Sequence, residues 1–282
     1  MQKIWVCGAR GQIGQAVNDV VDKLEFEMLD TDVDDLDVTD TDEVLRFGEM
    51  NRPDIIINCS GMTDISSCEE NPFKVNALGA RNLAIVAAKM QAKMVQLSTD
   101  DVFDGKSTEP YTEFDITNPG TVYGKSKLAG ENYVKEFTTK HFIVRSTWVY
   151  GKGQNFINGF LKKVDAGEQL SIASDQFGSP TSANELARFL LHLVHTSEYG
   201  TYHATNKGVC SRYAFAQEIL KMTGKTASMQ PVPTVMSDFS KVRPAYAVLD
   251  NFIMSMVPIY DFPDWQDSLR EYLEERGLYH AE

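Results

Sequence analysis

The chain opens on a strand that runs straight into a glycine turn and then a helix, and few folds accommodate that order. Ile4-Trp5-Val6-Cys7 is a continuous apolar run, the pattern of a strand buried on both faces. Gly8-Ala9-Arg10-Gly11-Gln12-Ile13-Gly14 follows, and helical periodicity continues to about Leu24. In that context glycines spaced G-x-x-G-x-x-G give a tight turn, a close backbone approach and close helix–strand packing. That is how a dinucleotide pyrophosphate is held at a helix N-terminus. A glycine-rich hairpin is the competing reading, and the helix that follows argues against it. The turn offers Gly8, Arg10, Gly11, Gln12, Ile13 and Gly14 as cofactor contacts.

The next segments repeat the strand–helix alternation. Phe26-Glu27-Met28-Leu29 reads as a second strand ending at Asp30-Thr31-Asp32. An acid such as Asp30 accepts hydrogen bonds from the adenosine ribose and repels a 2′-phosphate, whereas Arg10 attracts one. NADPH and NADH therefore both stay open. Thr41 is expected to cap a helix reaching about Met50. A buried strand at residues 54–59 ends at Cys59 and opens into Ser60-Gly61-Met62-Thr63. Asn71-Pro72 supplies a cap and a first-turn proline for a helix through Asn76 to about Met90. Met94-Val95-Gln96-Leu97 is a fourth strand, with Ser98 and Thr99 at the C-terminal edge where open parallel sheets bind ligands. Phe142-Ile143-Val144-Arg145 adds another strand.

These elements predict an α/β fold, a Rossmann-type doubly wound parallel sheet over residues 1–150 that binds NAD(P). After residue 150 the alternation breaks. Residues 151–282 are read as a smaller C-terminal α/β substrate lobe, with an amphipathic helix near 181–197 that is a candidate to return to the first domain.

Tyr123 and Lys127 are four residues apart in Tyr123-Gly124-Lys125-Ser126-Lys127, so on a helix they share one face. Free tyrosine titrates near ~10, and bringing it to neutrality requires roughly 4 kcal/mol of preferential stabilisation of its anion. A nearby ammonium in a desolvated site supplies much of that. Taken alone the spacing is common, and most tyrosine–lysine pairs so spaced are ordinary surface residues.

Composition narrows the classes. With 282 residues, 43% hydrophobic and 24% charged, the chain suits one large α/β domain with an added lobe. A net charge of −13 argues against nucleic acid as a partner, though not against an anionic small ligand held locally. No stretch approaches a membrane span, and no signal peptide is evident. The four cysteines, Cys7, Cys59, Cys68 and Cys210, form no C-x-x-C pair. The expectation is a reduced, cytoplasmic protein without a structural metal.

The glycine turn, Ser98-Thr99 and Tyr123-x-x-x-Lys127 together resemble the extended short-chain dehydrogenase/reductase family. More closely, nearly the whole chain resembles the dTDP-4-dehydrorhamnose reductase family. Ser98-Thr99-Asp100-x-Val102-Phe103-Asp104-Gly105, Trp148-Val149-Tyr150-Gly151, Asp175-Gln176-x-Gly178-x-Pro180-Thr181 and Arg243-Pro244 contribute to that likeness. The resemblance implies an oxidoreductase that reduces the C4 ketone of dTDP-4-dehydro-L-rhamnose to dTDP-L-rhamnose with NADPH or NADH. It implies Thr99, Tyr123 and Lys127 as the catalytic trio, the phenol giving its proton and the lysine also holding the nicotinamide ribose. It places Asp37 and Val38 near the adenine, Asn76 on the nicotinamide side with Cys59, Ser60 and Gly61, and Thr63, Ser98, Trp148 and Arg243 against the substrate. Departures fall at Asp101, at Ser66-Ser67 and at Ala247, positions that touch sugar recognition more than hydride chemistry. Gln15-Ala16-Val17 lacks the carboxylate with which some members bind magnesium, so no metal and a monomer are expected, a weak homodimer being the alternative. A related nucleotide-sugar epimerase or reductase, and a non-catalytic regulatory subunit like the β subunit of methionine adenosyltransferase, are the competing readings.

Overall fold

A computed structural model describes residues 1–63, 71–236 and 245–280. Six parallel strands form the central sheet, in the order Gly200–His203, β5 (His141–Ser146), β4 (Lys93–Thr99), β3 (Ile55–Asn58), β1 (Gln2–Cys7), β2 (Phe26–Thr31). The strand order reverses between β1 and β3, which makes their C-terminal ends the switch point where such sheets open a crevice.

Side-chain alternation assigns each face its own core. Ile4, Val6, Ile55 and Ile57 point into one cluster, under α1 (Gln12–Val20) and α6 (Ala183–Val194). Trp5, Cys7 and Ile56 point into the other, under α2 (Thr41–Asn51) and α3 (Ala80–Met90), where Val134 of α4 (Val122–Phe137) joins them. Such two-sided burial explains the unbroken apolar runs of β1 and β3. Trp5 keeps its indole N–H satisfied by donating to Thr31 Oγ1 at 2.8 Å.

Three local expectations change. Asp40, not Thr41, caps α2: its carboxylate accepts from the N–H groups of Asp42 and Glu43, using the helix's first orphan donors. The helix expected from Asn71 to Met90 does start at Pro72, but it passes through a π-helical segment, Lys74–Gly79, before it tightens into α3. The sixth strand also comes from beyond residue 150. Tyr202 pairs with Val144, and Leu186, Phe189 and Leu190 of α6 bury against the β1 face, so residues 183–204 complete the first layer. Their apolar faces fill the side of the sheet that α1 alone leaves open.

The rest of the C-terminal half has a separate core. Phe160 and Leu161 of α5 (Phe156–Asp165), Phe215 and Ile219 of α7 (Arg212–Thr223), and Leu269 and Leu273 of the helix Trp265–Glu275 pack with Leu170 and Ile172. A cleft separates this lobe from the sheet edge. Among the described residues, no helix is long and apolar enough to cross a membrane.

Candidate active site

The cleft encloses about 790 Å3 above the β1–β3 switch point. One wall is the glycine turn and the start of α1, with Gly11, Gln12 and Ile13; beside it runs the loop of Cys59, Ser60, Gly61 and Thr63. Ser98 and Thr99 close its floor, Tyr123 and Lys127 face it from α4, and Trp148 leads toward the second lobe. Residues far apart in the chain, from Gly11 to Trp148, thus meet in one space.

Tyr123 and Lys127 are 7% and 5% exposed, on one face of α4 and one turn apart. Thr121 caps this helix, accepting from Gly124 N at 2.9 Å. Gly130 lets the helix lie against the π-helical segment: a Cβ there would stand 2.2 Å from Asn76 O. Burial lowers the Lys127 pKa to about 8, partly opposed by the charge of Glu131 one turn further on. Nearby, burial pushes the Cys59 thiol up to about 12, so it stays a neutral wall of the cleft. Glu131 is fully buried, accepting from Ser98 Oγ at 2.5 Å and from Arg145 Nε and Nη2 at 2.9 and 2.7 Å.

Thr99 donates its hydroxyl to Asp100 Oδ1 at 2.8 Å, and Thr147 donates to Asp100 Oδ2 at 2.9 Å. The Thr99 oxygen also accepts from Asp101 N at 3.2 Å, which leaves one lone pair for the cleft, its proton being already directed at Asp100.

Several named residues sit outside the cleft lining. Asn76 is 2% exposed and spends its amide on Met62 and Ser126, receiving Met62 N at 2.8 Å and donating to Ser126 Oγ at 2.9 Å. It fastens the Gly61 loop to α4, and Gly61 in turn lies close to Lys127 Nζ, 3.7 Å from where its Cβ would be. Val38 is a core side chain packed on Gly79, and Asp37 accepts from the Thr39 N–H of its own loop. Asp30 is exposed, and Asp32 is the acid that touches the glycine turn, accepting from Arg10 N at 2.8 Å. Arg243, with the departures at Ser66 and Ser67, lies outside the described residues.

The glycine turn fits a dinucleotide. Gly8 has φ 76°, and a Cβ on it would fall 2.8 Å from Ser60 N; one on Gly14 would fall 2.4 Å from Gly8 O. The turn thus packs tightly on both sides, as close pyrophosphate approach requires. Helix α1 starts with no side-chain cap and no acid in its first turn, leaving its N–H groups for an anion.

Sequence reasoning assigned the second lobe to the substrate but named only Arg243 from it as a contact. Asn155, Gln176 and Arg212 also line the cleft. Asn155 and Arg212 come from helix starts that no periodic pattern links to the glycine turn. Asp100 was legible in the Ser98-Thr99-Asp100 motif, but its clasp by two threonines was not.

Comparison with known proteins agrees with this geometry. A family profile described as RmlD substrate binding domain matches residues 1–277. The chain belongs to this family. A dTDP-4-dehydrorhamnose reductase structure from Clostridium acetobutylicum is 40% identical, with a TM-score of 0.94 over 98% of this chain and 100% of that one. A dTDP-4-dehydrorhamnose reductase from Bacillus anthracis, solved in complex with NADP, is 35% identical with a TM-score of 0.94, covering 98% and 100%. The spore coat polysaccharide biosynthesis protein SpsK of Bacillus subtilis is 35% identical over 98% of this chain and 99% of its own length. Membership of the RmlD family accounts for the Rossmann-type sheet.

Proposed function

We propose that this protein reduces the C4 ketone of dTDP-4-dehydro-L-rhamnose to dTDP-L-rhamnose, using NADPH or NADH. The observation behind the assignment is that Tyr123 and Lys127, buried one turn apart, face the same cleft as the glycine turn. The matching reductases, one of them solved with NADP, support the substrate and the cofactor.

A bound nicotinamide dinucleotide supplies the hydride to C4. Tyr123 gives its phenolic proton to the ketone oxygen as negative charge develops there. Lys127, still mostly protonated at neutral pH with a pKa of about 8, stabilises the phenolate left behind. Its burial strengthens that effect, because little water screens the pair. Thr99, whose proton is directed at Asp100, orients the sugar by accepting from one of its hydroxyls. Gly8, Gly11 and Gly14 admit the pyrophosphate, and Cys59, Ser60 and Gly61 wall the nicotinamide end. The division of labour follows the two cores: the sheet holds the cofactor and the lobe built on α5 and α7 holds the sugar nucleotide.

The test is oxidation of NADH or NADPH with freshly generated dTDP-4-dehydrorhamnose. Turnover with at least one cofactor is expected; none with either would remove the assignment. Release of a tightly held oxidised cofactor on denaturation would instead indicate an epimerase.

A further inference from the structure

Four hydroxyls line the cleft at and just past the C-terminal ends of β4 and β5: Ser98, Thr99, Ser146 and Thr147. Each has committed its proton to a protein acceptor. Ser98 donates to Glu131 Oε1 at 2.5 Å, and Thr99 to Asp100 Oδ1 at 2.8 Å. Ser146 donates to Ala204 O at 2.7 Å, and Thr147 to Asp100 Oδ2 at 2.9 Å. Carboxylates and carbonyls only accept, so the direction of each bond is fixed, and a hydroxyl has one proton to give. All four side chains are buried. Turning one toward a ligand would leave a buried acceptor unsatisfied, a penalty larger than the net gain of a new hydrogen bond. This floor therefore offers a ligand lone pairs only: a ligand hydroxyl finds a partner there, and a ligand carbonyl oxygen does not.

Asp100 sets much of that polarity, because it takes the protons of two threonines from two strands. It opens the turn Asp100–Val102 that follows β4. The start of α4 packs on the same turn, where a Cβ on Gly124 would stand 2.0 Å from Asp101 O. That contact brings Tyr123, the residue before Gly124, to the edge of the floor. A proton donor on α4 thus borders a surface that only accepts. In the 6-deoxy sugar assigned above, the C3 hydroxyl is the hydroxyl next to the C4 ketone, since C5 carries none. With the ketone oxygen at Tyr123, the C3 hydroxyl is the neighbour that can meet Thr99.

We infer that Asp100 is a positioning residue acting through Thr99: by holding its proton, it makes the floor accept the C3 hydroxyl and refuse the C4 ketone oxygen, which is left to Tyr123. The specificity that results is for a ketone flanked by a hydroxyl. This inference rests on the reductase reading above.

The experiment compares kcat/KM for dTDP-4-dehydro-L-rhamnose and for its 3-deoxy analogue, with the same reduced cofactor, in the full-length protein. The ratio of the two within one preparation does not depend on how much of it is folded, so a poorly folding variant still reports. Wild type is expected to prefer the hydroxylated substrate by roughly 3- to 10-fold, the worth of one hydrogen bond. Thr99→Val should slow that substrate to a similar extent and the analogue hardly at all, so the preference collapses. Asp100→Ala should also lower the preference, because it frees the Thr99 proton. The double variant Thr99→Val/Asp100→Ala should show a preference no lower than Thr99→Val alone, the non-additivity expected of residues that act as a unit. An unchanged preference in Asp100→Ala, or losses of preference that add in the double variant, would overturn the role of Asp100. Equal kcat/KM for both substrates in wild type, or Thr99→Val slowing both alike, would show that Thr99 serves the ketone itself, overturning the inference while leaving the reductase reading intact. No turnover of either substrate by wild type would overturn both.

Discussion

Glu131 receives two parallel hydrogen bonds from Arg145, at 2.9 and 2.7 Å, at the buried end of the helix face that presents Tyr123 and Lys127. The pair anchors α4 to β5, with Ser98 of β4 bonded to the same carboxylate, so the reactive helix is tied to the two strands beneath it. Removing one partner strands a charge without water. Arg145→Met should therefore lower unfolding free energy by about 3–5 kcal/mol, and the double variant Glu131→Met/Arg145→Met should recover most of it. Urea denaturation compares the three; a single variant as stable as wild type would refute the pairing.

Tyr123→Phe keeps the ring and removes the acid. Turnover should fall by ~10²–10⁴, the usual contribution of a positioned acid, while NADP+ or NAD+ affinity changes little. Retained kcat would take Tyr123 out of the mechanism.

Lys127 exchanges stability for function. Its native pKa of about 8 lies below the ordinary 10.5, so the folded state holds the proton more weakly than the unfolded chain. Below about pH 8 both states are protonated and burying the charge costs about 3 kcal/mol, at 1.36 kcal/mol per pH unit. The penalty fades as pH rises from about 8 toward 10.5. Lys127→Met should therefore be inactive yet melt higher than wild type at neutral pH, with the gap narrowing in alkali. A gap that widens instead would contradict the buried ammonium.

Arg10 is paired with Asp34 and Asp35, each at 2.9 Å, beside the position where a cofactor 2′-phosphate is read. The pairs are exposed, so each is worth about 1 kcal/mol or less. Asp34→Asn/Asp35→Asn should shift kcat/KM toward NADPH relative to NADH by roughly three- to tenfold, and Arg10→Ala should shift it the other way. Fluorescence titration with both reduced cofactors gives the same comparison without turnover. Unchanged preference in both variants would remove Arg10 from cofactor choice.

How much was legible follows from the range of each interaction. Apolar run length and the glycine spacing are local, so β1, the turn and the doubly wound sheet could be read directly. The Tyr123–Lys127 face needed only helical periodicity. Asp40 was overlooked as the cap because Thr41 beside it is also a cap former, and only the hydrogen bonds separate the two. Asp32 rather than Asp30 meets the turn because it lies just past the end of β2, level with the loop that follows Cys7, whereas Asp30 is paired with Val6 inside the sheet.

The sequence by itself determined the sheet, the crevice at its edge and the helix face shared by Tyr123 and Lys127, because neighbouring residues along the chain set them. Only the tertiary structure decided that Asn76 fastens a loop, that Val38 is core, that residues 183–204 finish the sheet and that Asp100 takes the proton of Thr147. Those outcomes depend on which distant surfaces bury against each other, and no local spacing encodes that choice.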